Sequence, residues 1–315
     1  APGSPMDPSP LFSFDDLIQR VSSGFDAKKW KVVRHLENTK EAPDFEDLVL
    51  TEPSALEFYQ SYQGTDVFGN CDGFFSFLGL PGGRALFFGA YKVKRPAETP
   101  TLDPNASDVP ASLRPLWQRW ADHQKPGSVT YHYDLERDDR FADLQGRVVI
   151  DWGVGTRSWA QWSTDKAVLE IREPGRIAPC PQYPDIDVSL NKIAFLAENE
   201  AANPSWVTQL GSVGGIYLLT DHRNNRLYVG QAGAKGKGGG FWARWKQYAE
   251  GKSGNKLVDA AVGDGSIKVA DPEVTMSVLE VVPLGKASKG RLDALETRWK
   301  VRLRSKHTKH GLNDN

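Results

Sequence analysis

Cysteine is scarce: Cys71 and Cys180 are the two in 315 residues, too few for a disulfide framework or a cysteine-rich zinc site. That scarcity points to a reducing, intracellular compartment, and the expectation is a cytoplasmic protein. Histidine offers no ligand spacing either, since His35, His123 and His132 lie scattered, and a lone histidine is more often a satisfied structural residue than a metal ligand. No apolar run approaches the length of a membrane span and no signal peptide is present, so the membrane is excluded as a partner. Residues 1–5, ahead of Met6, read as a tag remnant and are set aside. Net charge is also lacking, at −1 from 39 basic and 40 acidic residues. The balance hides an uneven distribution, because Lys and Arg crowd the part from Lys235 to Lys309. A basic region in a neutral chain suggests one surface that meets phosphates, although a solvated helix face accounts for Arg298, Lys300, Arg302 and Arg304 equally well.

What is there fits a two-domain α+β chain. Its 315 residues exceed what one core usually holds, and shares of 39% hydrophobic and 25% charged residues are ordinary for globular domains. Ser13 caps an expected helix from Phe14 to Val21, and Ser54 with Glu57 forms a capping box for a helix from Pro53 to Tyr62 that Gly64 stops. Trp30 to Leu36 reads as a strand or a second helix. Gly73 to Leu80 and Ala85 to Val93 are strongly β-forming, with Pro81, Gly82 and Gly83 as the turn between them. A polar insertion runs from Pro96 to Pro115, one or two helical turns follow at 116–120, and strands are expected at 128–133, 147–152 and 167–171. The first half is therefore a strand-rich curved sheet or barrel. Its strand order is similar, as fold-level analogy only, to PUA-like barrels that read modified or flipped bases. Within it, Trp152 to Trp159 is Gly-rich, and Arg157 and Trp159 could belong to a base-stacking pocket or to a structural turn with core tryptophans. A Pro-rich boundary at 173–184 and a connecting helix at 186–202 complete the plan: residues 7–180 as one domain, 181–212 as linker, 213–315 as the second.

The stretch from Gly214 to Gly230 organises the second domain. Two apolar runs flank Asp221 to Arg226, whose Asn224-Asn225 centre tolerates positive φ, so a β-hairpin is expected. It sets Tyr217 and Tyr228 on neighbouring strands. A Gly-rich loop and the helix-spaced run Phe241 to Tyr248 follow. Here the chain resembles the GIY-YIG nuclease family: Gly215-Ile216-Tyr217 stands for one half of the motif and Tyr228-Val229-Gly230 for the other. Arg244 matches the family's helix arginine, Asn255-Lys256-Leu257 its Asn-x-Leu segment, Glu296 its metal-binding glutamate, and Gly311-Leu312-Asn313 its closing element. The resemblance covers about the last third of the chain. It implies a small antiparallel sheet flanked by helices.

The resemblance also implies chemistry. Hydrolysing a phosphodiester needs in-line attack by water, compensation of charge at phosphorus and help for the departing oxygen. Glu296 is a hard oxygen ligand suited to Mg²⁺, with Mn²⁺ as substitute, and Arg244 suits the non-bridging phosphate oxygens as a transition-state clamp. Tyr217 is expected as general base, its pKa lowered by cationic neighbours, with Tyr228 orienting water or phosphate. Gly230 and Gly233 let phosphate approach the backbone. Lys235, Lys237, Lys246, Asn255 and Asn313 complete the expected nucleic-acid contacts of this domain. The implied function is a metal-dependent DNA endonuclease of restriction or modification-dependent defence type, in which residues 7–180 select the target. An inert nucleic-acid-binding scaffold and a repair incision nuclease are the alternatives. One metal site cuts one strand per encounter, so double-strand cleavage would call for a homodimer on DNA or sequential nicking.

Overall fold

The computed structural model describes residues 12–36, 39, 42–94, 97–99, 106, 108–125, 127–153, 159–162, 164–233, 239–251, 270–306 and 311–313. The architecture is mixed α and β, with several sheets, and Cα packing divides the chain into two compact units, Ala1–Arg176 and Ile177–Asn315.

The first unit is built on a seven-stranded sheet. Its strands are β1 (Trp30–His35), β3 (Gly73–Leu80), β4 (Arg84–Val93), β7 (Leu135–Arg137), β8 (Val148–Asp151), β9 (Ala160–Gln161) and β10 (Val168–Ile171). A smaller sheet joins β2 (Tyr62–Gln63), β5 (Ala97–Thr99) and β6 (Thr130–His132). The runs that form β3 and β4 are apolar almost without alternation, the pattern of strands covered on both faces. One face packs against α1 (Phe14–Val21), and the other against α2 (Phe45–Thr51), α3 (Pro53–Ser61) and α4 (Arg114–His123). Adjacent phenylalanines accordingly split between the two cores, Phe74 and Phe88 to one, Phe75 and Phe87 to the other. Each is fully buried and stabilises the fold by roughly 1.5–3 kcal/mol. The barrel alternative is not realised: the sheet runs β10-β8-β4-β3-β1-β9, and among the described residues no pairing joins its two ends. Helices covering both faces do the burying that a closed barrel interior would otherwise do.

Local signals explain the helix starts. Ser13 Oγ accepts from the Asp16 amide at 3.2 Å while Asp16 Oδ2 accepts from the Ser13 amide at 2.8 Å, a reciprocal cap. The expected box at Ser54 does not form. Pro53 occupies the first helical position, where its missing N–H leaves nothing unsatisfied, so Ser54 lies inside the first turn and Glu52 holds the cap position without a side-chain bond. The helix α2, which the sequence reading lacked, starts where Asp44 accepts from the Glu46 amide at 3.0 Å.

The second unit is a four-stranded antiparallel sheet in the order β11 (Asp187–Ser189), β14 (Val274–Pro283), β12 (Val213–Asp221), β13 (Arg226–Ala232). Residues 181–212, read from sequence as a linker with a connecting helix, supply the edge strand β11 and two helices, α5 (Leu190–Glu198) and α6 (Pro204–Gly211), both packed on α7 (Gly240–Ala249). The hairpin turn closes as its asparagines require, with Asn225 at φ +54°. Buried Asp221 braces it by accepting from Arg223 Nε at 2.9 Å and Asn224 Nδ2 at 3.0 Å.

Strand alternation divides this sheet's side chains. Ile216 and Val229 face α8 (Lys289–Leu303), meeting Leu292, Leu295 and Trp299. Tyr217 and Tyr228 point to the other face, where Tyr217 lies 6.4 Å from Phe241, 6.3 Å from Trp245 and 5.9 Å from Tyr248, all on α7. The outer edge of β13 is covered by the chain's last described segment, as Leu312 N donates to Leu227 O at 2.9 Å.

Candidate active site

Two side-chain clusters sit on either side of β13, one on each face of the sheet. On the α7 face Tyr217 is fully buried, and it fits because its partner across the strand is Gly230. A Cβ at 230 would stand 2.4 Å from Tyr217 Cζ, so the glycine there is required by the ring. Gly233 likewise makes room for Leu292, whose Cδ1 a Cβ would meet at 2.7 Å. Packing accounts for both glycines, where the sequence reading invoked phosphate approach.

Two phenols hold Arg244. Its Nε donates to Tyr217 Oη at 3.2 Å and its Nη2 to Tyr248 Oη at 3.4 Å, the two hydroxyls being 2.9 Å apart. Its Nη1 donates to Gln247 Oε1 at 2.8 Å, and the guanidinium carbon lies 5.0 Å from the centre of the Tyr248 ring. Arg244 and Tyr248 are one helical turn apart, which puts them on one face of α7. Among the described residues Arg244 has no carboxylate partner. A half-buried guanidinium held by neutral groups keeps its charge available for an anion.

The phenols behave differently from the expectation. Burial pushes Tyr217 above the ordinary phenol range, and Arg244 offsets only part of that rise; burial raises Tyr248 as well. Both hydroxyls are therefore protonated near neutral pH. The anticipated lowering fails because the ring has no water around it. Tyr228, 7% exposed, lies 6.3 Å from both other rings, and its hydroxyl has no protein partner among the described residues.

On the α8 face Glu296 is held from two sides. Its Oε1 pairs with Lys300 Nζ at 3.1 Å, one turn along the helix, and its Oε2 accepts from Gln231 Nε2 at 2.7 Å. The same amide nitrogen donates to Asp293 Oδ1 at 2.7 Å, so two carboxylates converge on one point. Hard oxygen donors meeting at a point where one amide now sits fit a small divalent cation such as Mg²⁺. Groups of three or more His, Cys, Asp or Glu that could hold a metal are absent among the described residues.

The remaining expected contacts fare unevenly. Asn313, expected to touch nucleic acid, is 5% exposed and clamps β13: its Oδ1 accepts from Val229 N and its Nδ2 donates to Val229 O, both at 2.9 Å. Its amide is fully engaged in closing the sheet edge. Lys246 is paired with Glu200 and lies over the Trp242 ring. Trp159 is half-buried against the first unit's core. Arg157, Lys235, Lys237 and Asn255 lie outside the described residues. Tyr248, Gln231, Asp293 and Lys300 were missed; for Tyr248 the signal was present, an aromatic four residues after Arg244 on the same helix face.

No family model matches the chain, and no curated protein matches it. A solved structure to which it is similar is the catalytic domain of the intron endonuclease I-TevI, in a point-mutant form, at 23% identity and a TM-score of 0.25. The match covers 33% of this chain and 96% of that domain.

Proposed function

We propose that the second unit hydrolyses phosphodiester bonds in DNA with a divalent metal, and that the chain is a GIY-YIG-type endonuclease. The observation that carries this reading is Arg244, a guanidinium held by two phenols and an amide with no carboxylate to neutralise it among the described residues. Such a group stabilises charge gained at a phosphate without first having to leave an ion pair. Gly230 and Gln231 are consecutive in β13 and belong to opposite faces, so the two clusters approach each other around one peptide of the edge strand. There the next outward-facing backbone groups after those held by Asn313 are those of Gln231, which have no partner among the described residues.

In this reading Glu296, with Asp293 beside it, holds the metal, whose chemistry is to polarise the phosphoryl group and acidify bound water. Lys300 and Gln231 hold the two carboxylates in place until then. Tyr217 and Tyr248 are positioning residues that orient the guanidinium. Tyr228, whose hydroxyl is not committed to the protein, orients the attacking water or the phosphate. In the same reading the first unit selects the target and the role is one of restriction or modification-dependent defence.

A second reading, an inert nucleic-acid-binding scaffold, is favoured by one arrangement: Glu296 and Arg244 approach from opposite faces of the sheet, and Glu296 already has a lysine partner. Conversion of supercoiled plasmid to nicked circles by the full chain, with Mg²⁺ or Mn²⁺ against EDTA, separates them. Metal-dependent nicking supports hydrolysis; DNA retention without nicking in either metal establishes the scaffold.

A further inference from the structure

The first unit holds a cavity of about 610 Å³, within the range of roughly 300–1,000 Å³ typical of small-molecule sites. Its walls come from elements far apart in sequence: Arg34 and His35 end β1, Tyr59 stands on α3, Trp120 on α4, and Trp159 precedes β9. The rings hold one another in place, His35 meeting Tyr59 edge-on at 5.4 Å, Tyr59 lying 5.2 Å from Trp120 and Trp159 6.0 Å from His35. Ser128, Gln124 and Thr130 add hydrogen-bonding groups, and Val129, 40% exposed, stands at the rim.

An aromatic cavity suits either a cation or a flat neutral ring, and charge decides between them. No Asp or Glu lines this cavity among the described residues, and the Arg34 guanidinium lies over the Trp152 ring, in the core on the other face of β1. Burial drives His35 down to about 4, so its ring is neutral near pH 7 and can donate from one nitrogen and accept at the other. A cationic ligand would find no counter-charge among the described lining residues. A neutral ring bearing carbonyl and ring-nitrogen acceptors meets stacking surfaces and small polar groups.

We propose that this cavity receives a single nucleobase swung out of a DNA strand. The choice of DNA as the source rests on the hydrolase reading above; the cavity's preference for a flat, uncharged, acceptor-bearing ring rests on its own walls. Extrusion of a mismatched base costs less than extrusion of a paired one, so a mismatch should be captured preferentially.

The test is an anisotropy titration of the full chain, in EDTA, with a duplex carrying one central mismatch and with its fully paired counterpart. Binding of the mismatched duplex is expected to be tighter by about tenfold, since one base–aromatic stacking contact is worth roughly 5- to 150-fold in affinity. Trp159→Ala removes a stacking wall, and Val129→Arg obstructs the mouth from an exposed position that the core does not depend on. Both should bring the ratio of the two affinities to about one. Should Trp159→Ala fail to fold, Val129→Arg decides alone. A parent chain without mismatch preference, a preference that survives Val129→Arg, or tight capture of a trimethyl-lysine peptide by the cavity would each overturn the proposal. Glu296→Gln is the control, expected to keep the preference. A Val129-dependent preference in a chain that nicks no plasmid would refute the hydrolase reading and leave the cavity's assignment standing.

Discussion

On the α7 side of the four-stranded sheet the chemistry-bearing groups are one guanidinium and three phenols; on the α8 side they are two carboxylates, a lysine and an amide. Among the described residues the guanidinium of the first face has no carboxylate partner, and on the second Glu296 is already paired with Lys300. Phosphodiester hydrolysis needs both kinds of group, one for the non-bridging oxygens and one for the metal. The difference teaches that the faces are complementary only if DNA or metal engages the edge strand between them. Three perturbations sharpen or break that comparison.

The largest effect is expected from the positive face. Arg244→Ala removes charge stabilisation that develops mainly in the transition state, so nicking should slow by roughly two to three orders of magnitude with DNA affinity little changed. Single-turnover nicking and equilibrium binding measured side by side check this. An effect confined to affinity would make Arg244 a phosphate anchor.

Next is the edge that joins the faces. Asn313→Leu leaves the buried N–H and C=O of Val229 without partners, at about 1–3 kcal/mol for each group. Denaturant unfolding should show this loss of stability. If stability is unchanged, the closing segment is not what holds β13, and Asn313 regains its place as a candidate ligand.

The smallest effect separates the faces by pH. The buried Tyr217 phenol stays protonated above the unfolded value of 10.0, so folding retains its proton where the unfolded chain releases it. Its contribution is fully present below pH 10 and is lost as pH rises above that value. Tyr217→Phe should therefore flatten the alkaline fall in stability, measured as unfolding midpoints across that range, while the alkaline limb of nicking keeps its position. A limb that moves with Tyr217→Phe would restore Tyr217 as the base.

Much of the positive face was legible in the sequence. Tyr217, Tyr228 and Arg244 belong to local patterns, a hairpin with an Asn-Asn turn and a helix with its own spacing, and local patterns survive folding. Glu296 was legible as a residue but its surroundings were not: Gln231 is on another strand, and which face α8 covers is decided by the packing of Leu292, Leu295 and Trp299 on Ile216 and Val229. Asn313 was misassigned because an amide that binds backbone and one that binds phosphate look alike in sequence. In the first unit the runs of β3 and β4 announced strands, yet the parallel pairing of β1 with β3 and the helices on both faces are non-local and left sheet and barrel undivided. The aromatic cavity draws on Arg34, Tyr59, Trp120 and Trp159, which share no spacing; of these only Trp159 stood in a stretch read as a base-stacking pocket or a structural turn.

The most direct test of the central claim, that both faces serve one reaction, is plasmid nicking in Mg²⁺ by the parent chain, Arg244→Ala, Glu296→Gln and the double variant under identical conditions. The expected result is nicking by the parent, its abolition by Glu296→Gln with DNA binding retained, and a double variant no slower than the slower single one, because residues that act as a unit are not additive. Nicking by Glu296→Gln at a rate near the parent's would contradict the account.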